Sequence, residues 1–174
     1  MLSLECNDLT VLPQGLLAQV KSHCRVEFDR DDQYLLEATS RAIAEVETLT
    51  NLSINPAEWK WCIGDCVPQH RGYWRFPKAP VRSVFSVDDK DVRTPVKFYV
   101  DEAQVYLCAT SGGGSYIFNV GYLTAADIPP AVLSAILMRV AALYEYRESL
   151  QFGSVNELPD MDSRVFSGLW RPSC

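Results

Sequence analysis

The residues best suited to chemistry in this sequence are two histidines and a pair of closely spaced cysteines. Cys62, Cys66 and His70 form a C-x3-C-x3-H run, and His23 is the only other histidine. Thiolate and imidazole groups bind zinc, but a closed structural site needs four ligands in a suitable spacing. We therefore expect no metal site and interpret the cysteines as small apolar side chains. A zinc-stabilised interaction module built on this run is kept as an alternative.

A hydrolytic active site has little support in the sequence. A serine nucleophile needs a base and an orienting group, and no serine lies in a Gly-x-Ser-x-Gly elbow. The acidic run 29–32 lacks the glycine and the distal glutamate of a calcium-binding EF-hand loop. We expect no catalytic residues and no cofactor. The alternative is a cytosolic enzyme or small-molecule-binding domain, with a pocket lined by Trp59, Trp61, Tyr73 and Trp74.

Composition narrows the class of protein. The chain has 174 residues, of which 48% are hydrophobic and 22% are charged, so it can bury a core and is not disordered. No apolar run reaches the roughly 20 residues of a membrane span. Residues 1–14 contain no Lys or Arg, so we expect no secretory signal and free thiols in a reducing cytosol. The net charge of -6, without a basic cluster, argues against tight nucleic-acid binding.

The elements that must position these residues follow from hydrophobic periodicity. Apolar residues at helical spacing predict helices over 12–24, over 32–50 and, after residue 124, up to about 153. Between them the period changes to two, and Gly112 to Gly114 predict a hairpin connection. The predicted strands are 58–63, 73–76, 81–87, 96–100, 104–108 and 115–121.

This order predicts an α+β fold with two parts and a tail. A small helical bundle, made of two N-terminal helices and a long C-terminal helix, occupies residues 1–55 and 122–153. An antiparallel β subdomain is inserted over residues 56–121. Residues 154–174 mix Pro, Ser and Gly with isolated aromatic residues, so we expect an extended C-terminal tail.

Three blocks, in this order, resemble the head-to-tail connector proteins of tailed bacteriophages, also called adaptor or head-completion proteins. The first is LAQVKSHCRV (17–26), followed by an Asp-rich turn and a helix that ends AEVETLT (44–50). The second is FPKAPVRSVFSV (76–87), which is similar to the start of the β insertion in one branch. The third is FNVGY (118–122), followed by a helix that ends YEYRE (144–148).

The resemblance implies a structural virion protein and not an enzyme. Such a protein binds the portal protein after DNA packaging and forms a homo-oligomeric ring, expected to be a dodecamer, that extends the DNA channel. A neck, stopper or tail-completion protein then docks on the far side. The expected location is the head-tail interface of the virion, after synthesis in the host bacterial cytoplasm. No membrane and no cofactor are implied.

Charge suggests which residues face the channel. Residues 1–55 hold 9 acidic and 4 basic residues, and an acidic lumen would let DNA pass without specific binding. We expect Glu37, Glu45 and Glu47 to face that lumen.

Two further sets of residues are expected to contact neighbouring chains. Aromatic and arginine side chains are enriched at protein interfaces. In this sequence such side chains occur in the tail and at the end of the last predicted helix. The expected portal-binding or neighbour-binding residues of the tail are Val165, Phe166, Leu169 and Trp170. The expected inter-subunit residues are Tyr144, Tyr146, Arg147 and Glu148.

Overall fold

A computed structural model describes residues 3–6, 11–63, 73–88, 90–101, 104–108 and 114–145 of the chain. Helices and antiparallel strands are segregated along this part of the chain, with all strands but the first in succession between the second and the third α-helix, which confirms the predicted α+β fold. No helix within the described ranges is long and apolar enough to cross a membrane. The helices are α1 (Leu16–His23), α2 (Asp32–Thr50) and α3 (Pro130–Glu145). The strands are β1 (Ser3–Cys6), β2 (Ala57–Ile63), β3 (Tyr73–Arg75), β4 (Val81–Val87), β5 (Arg93–Pro95), β6 (Phe98–Asp101), β7 (Gln104–Cys108) and β8 (Gly114–Val120).

One compact unit, the helical unit, contains α1, α2 and α3, from residues 12–50 and 123–145. Helix α2 buries side chains every three or four positions, including Leu35, Ile43 and Val46, and packs against both other helices. It ends where Asn51 takes a left-handed conformation with φ 58°, a common way for a helix to stop.

Helix α1 begins later than the predicted residue 12 because the backbone just before it forms hydrogen bonds with another segment of the chain. The Gln14 N–H donates to the Leu123 carbonyl at 2.8 Å, and the Gln14 carbonyl accepts from the Ala125 N–H at 2.9 Å. These bonds form a short bridge within the helical unit, so the first helical residue is Leu16.

The second compact unit, the sheet unit, covers residues 51–122 together with β1. A five-stranded antiparallel sheet has the order β1-β2-β8-β4-β5, and a three-stranded sheet has the order β3-β7-β6. Their shared core contains Trp61, Phe76 and Phe118, with ring centroids 5.1 to 6.3 Å apart. Aromatic side chains therefore supply much of the buried area of this unit.

Pairing between strands differs from the predicted single subdomain in three ways. Strand β1 was not predicted, and it pairs with β2 from Ser3↔Cys62 to Cys6↔Trp59. The hairpin predicted between β7 and β8 is wrong, because β7 pairs with β3 and β6 whereas β8 pairs with β2 and β4. The strand predicted at 96–100 corresponds to β6, which begins at Phe98, and the short strand β5 before it was not predicted.

The two ends of the sheet unit's main segment meet. The Tyr122 N–H donates to the Ile54 carbonyl at 3.1 Å. Beside it, Gly121 has φ 83°, and a Cβ added there would lie 2.1 Å from the carbonyl oxygen of Asn55. Only glycine combines that conformation with so close a backbone approach.

Candidate interaction surfaces

The residues considered for metal binding do not form a metal-binding cluster within the described ranges. Cys62 lies on β2, half-buried, with its Sγ 3.5 Å from the Ser115 hydroxyl. Cys66 and His70 fall outside the described residues, and His23 lies in the last turn of α1. Among described residues no group of three His, Cys, Asp or Glu side chains could hold a metal ion.

The aromatic residues considered for a ligand pocket lie mainly in the core of the sheet unit. Trp61 and Trp74 are buried, with 2% and 5% of their surfaces exposed. Trp59 is half-buried, and the Lys78 ammonium lies 6.0 Å from its ring centroid. Tyr73 instead lies on the other side of its strand, with its ring 6.2 Å from that of Tyr99. The tryptophans of this set therefore stabilise the fold.

The three glutamates expected to face a channel have different surroundings on α2. Glu37 is exposed and accepts a 3.1 Å hydrogen bond from Gln33 on the same helix. Glu47 is half-exposed. Glu45 is held by Arg139 of α3, whose Nη2 donates to Oε1 at 2.8 Å and whose Nε lies 2.7 Å from Oε2. This bidentate pair joins α2 to α3 within one chain.

Replacing Glu45 by alanine is expected to lower the free energy of unfolding by about 1 to 2 kcal/mol. The Arg139 side chain is 17% exposed, so the change leaves a largely buried guanidinium without its carboxylate, and the 40% exposure of Glu45 moderates the loss. Urea unfolding followed by circular dichroism measures it. Glu37→Ala is the matched control, with an expected change under about 0.5 kcal/mol.

The double variant Glu45→Ala/Arg139→Met identifies the cause of that loss. Methionine removes the buried charge while keeping much of the side-chain volume, so the double variant should be more stable than Glu45→Ala alone. A double variant that loses stability additively would contradict a direct role of the ion pair.

The corner between α1 and α2 is a network of acidic side chains around one lysine. Lys21 Nζ lies 2.7 Å from carboxylate oxygens of both Asp29 and Asp32. Hydrogen bonding to Asp29, then to Asp32, raises the pKa of Lys21, and the bond from Lys21 lowers the pKa of Asp29. The acids of this turn thus support the helical unit, so their charge is partly neutralised locally.

Tyr144, expected at a subunit boundary, makes its described contacts inside the helical unit. Its hydroxyl donates to Asp31 Oδ2 at 2.6 Å, and its ring lies 6.1 Å from that of Tyr34. The Tyr34 hydroxyl in turn donates to the Leu143 carbonyl at 2.6 Å. The other expected contact residues, all in the range 146–174, lie outside the described residues.

Helix α3 also has an outward face, distinct from the apolar stripe that packs into the core. Met138 is 59% exposed, and Ala131, Ser134 and Glu145 are exposed on the same side. The signal was present in the sequence, because these positions recur every three to seven residues opposite the buried Val132, Ile136 and Val140.

Comparisons with known proteins agree with the fold and with the sequence blocks. Residues 15–69 match the profile of the phage gp6-like head-tail connector protein family. This segment contains α1, α2 and β2, and the match confirms the resemblance to connector proteins stated from the sequence. No curated protein matches the chain.

Solved structures resemble the chain over nearly its whole length. One is a chain from the neck of an empty gene transfer agent particle, computed with C6 symmetry: the TM-score is 0.65 at 20% identity, covering 100% of this chain and 97% of that one. Another is from a native gene transfer agent virion, with TM-score 0.61, 21% identity and coverage of 95% and 94%. A third, from a native particle neck computed with C12 symmetry, has TM-score 0.57, 19% identity and coverage of 98% and 97%. At these identities the likeness shows the shared fold.

Proposed function

We propose that this chain is a structural connector at the head-tail interface of a virion. The reason is that residues 15–69 carry the sequence pattern of phage gp6-like head-tail connector proteins. The observation that carries the proposal is that family match. The fold shared with neck chains of gene transfer agent particles supports it, since the similarity extends over 100% of this chain. Catalysis plays no part in the proposal.

The connector acts as a ring that extends the DNA channel. The similar neck structures were computed with C6 and C12 symmetry, which supports a homo-oligomer and agrees with a dodecamer. The net charge of -6 suits a lumen through which DNA slides without binding. Of the three channel-facing candidates Glu37 is exposed and Glu47 is half-exposed, whereas Glu45 is paired with Arg139.

The ring binds the portal protein on one side and a neck, stopper or tail-completion protein on the other. We assign portal or neighbour binding to the tail because large apolar side chains in a polar segment are typical anchors at interfaces. The proposed anchors are Val165, Phe166, Leu169 and Trp170. In the sequence directly after α3, Tyr146, Arg147 and Glu148 are proposed to contact the next subunit, with Tyr144 supporting them from inside the helical unit.

The test is to mix the purified protein with portal rings from the same genome and to image the product by electron microscopy. The expected result is a ring of this protein stacked on the portal, with the subunit number read from its symmetry. Protein that remains free beside intact portals would contradict the proposal.

A tail variant gives the matched comparison. Changing Phe166, Leu169 and Trp170 to alanine should weaken attachment to the portal. The circular dichroism spectrum of the protein should keep its helical signal. Attachment equal to that of the unchanged protein would remove the tail from the proposed portal contact.

A further inference from the structure

The last turn of α3 is held by two tyrosine hydroxyls. The Tyr34 hydroxyl of α2 donates to the Leu143 carbonyl at 2.6 Å, and the Tyr144 hydroxyl donates to Asp31 Oδ2 at 2.6 Å. The two tyrosine rings lie next to each other, with centroids 6.1 Å apart. Hydrogen bonds therefore run in both directions between the end of α3 and the start of α2.

The bond to Leu143 matters because of its place in the helix. The last four carbonyls of an α-helix have no partner within the helix, and α3 ends at Glu145, so the Leu143 carbonyl is one of them. Tyr34, which lies 109 residues earlier in the chain, supplies the donor. The end of α3 is thus capped by a side chain of another helix, which ties its position to that of α2.

The turn that carries Asp31 is itself held in place. Lys21 Nζ of α1 lies 2.7 Å from carboxylate oxygens of both Asp29 and Asp32, the acids on either side of Asp31. All three helices belong to one compact unit. The acceptor for the Tyr144 hydroxyl is therefore fixed through α1, and α1 and α2 together determine where the last turn of α3 lies.

We propose that Tyr34 and Asp31 are positioning residues for the contact between neighbouring copies in the ring. The residues assigned to that contact, Tyr146, Arg147 and Glu148, follow α3 directly in the sequence. A fixed last turn gives this segment a fixed starting point and direction, so less backbone freedom is lost when it binds. The inference rests on the proposed connector function and assigns to it two residues that act from inside one chain.

The size of the effect follows from the freedom that the last turn gains when a bond is removed. Fixing the backbone of one residue changes an equilibrium about fivefold to thirtyfold. Tyr34→Phe removes the donor to Leu143 and keeps the ring, so it should weaken association between copies about tenfold. Tyr144→Phe removes the bond to Asp31 and should act in the same direction, so it tests the inference if Tyr34→Phe does not fold.

A matched control separates positioning from stability. Thr39→Val removes another 2.6 Å hydrogen bond from a hydroxyl of α2, to the Leu35 carbonyl, and Thr39 is 0% exposed. Losing one such bond shifts the unfolding equilibrium about fivefold, against a total of a thousandfold or more, so each variant stays folded. Thr39→Val should therefore associate like the unchanged protein. A loss as large as that of Tyr34→Phe would contradict the inference.

The experiment measures association and positioning on the full chain. Sedimentation velocity over a concentration series gives self-association, and electron microscopy of mixtures with portal rings gives ring formation. Amide hydrogen exchange followed by mass spectrometry gives positioning: in Tyr34→Phe, residues 145–148 should exchange at least about fivefold faster, with α2 unchanged. Association of Tyr34→Phe equal to that of the unchanged protein overturns the inference, and so does weaker association with unchanged exchange.

The outcomes also separate this inference from the proposed function. Variants that self-associate and form rings on portals like the unchanged protein overturn the positioning role and leave the connector function standing. Self-association that is weakened as expected, in a protein that never binds portals, supports the positioning role and contradicts the connector function. An unchanged protein that stays monomeric with and without portals contradicts both.

Discussion

Gly121→Ala is expected to destabilise the sheet unit by about 3 kcal/mol or more. Gly121 has φ 83°, and an added Cβ would lie 2.1 Å from the Asn55 carbonyl oxygen and 2.5 Å from its carbon. These are backbone atoms, so the chain must separate where residues 55 and 121 approach each other. The expected loss of stability therefore has two parts, the steric clash with the Asn55 backbone and the ordinary penalty of a left-handed conformation for a residue with a Cβ.

Gly15→Ala is a matched control for that substitution. Gly15 has nearly the same φ, 81°, but an added Cβ meets nothing within 4 Å. Gly15→Ala is therefore expected to lower the free energy of unfolding by the conformational penalty alone, about 1 to 2 kcal/mol. Urea unfolding measures both variants, with tryptophan fluorescence reporting largely on the sheet unit, because Trp59, Trp61 and Trp74 all belong to it. Equal costs for the two variants would show that the Asn55 approach is unimportant.

Phe118→Ala is expected to lower the free energy of unfolding by about 3 to 5 kcal/mol. Phe118 is 0% exposed at the centre of the sheet-unit core, with its ring centroid 5.1 Å from that of Phe76 and 6.3 Å from that of Trp61. Removing the ring leaves a cavity that rigid aromatic neighbours cannot fill by small movements. The midpoint of urea unfolding, followed by tryptophan fluorescence, gives the change.

The control for Phe118 is the same substitution at an exposed phenylalanine. Phe28 is 54% exposed in the turn before α2, so Phe28→Ala should change stability by less than about 0.5 kcal/mol. Phe118→Leu, which keeps most of the apolar volume, should be intermediate between the two. A loss at Phe118→Ala no larger than that at Phe28→Ala would contradict the assigned core.

Local periodicity was sufficient to predict the elements whose signal lies within one segment. Helix α2 begins and ends at the predicted residues 32 and 50, and β4 and β7 also have the predicted bounds. Strand pairing could not be predicted in the same way, because it joins segments far apart in the chain. The pairing of β8 with β2 and β4, rather than with β7, brings together residues as distant in sequence as Ala57 and Val120, which no single window contains.

For the candidate interaction surfaces too, local sequence patterns did not predict contacts between distant segments. The order of three short blocks was enough to indicate connector proteins, and residues 15–69 match that family. The surroundings of individual acids were not predictable: Glu45 was expected to face a channel, yet its partner Arg139 lies 94 residues further along the chain. Helical periodicity separates a buried side from an exposed one, but it does not identify which charges are paired across two helices.

The hydrogen bond between Tyr122 and Ile54 has a consequence for how such a chain can evolve. Residues 55–121 form a closed loop whose two ends are neighbours, so the distance between them need not change when the loop gains or loses strands. The entropy of closing a flexible loop grows only logarithmically, by roughly 0.6 kcal/mol for each doubling of its length. The strands between residues 55 and 121 can therefore be lengthened, shortened or changed in number while α1, α2 and α3 keep the same packing, as long as β2 remains to pair with β1.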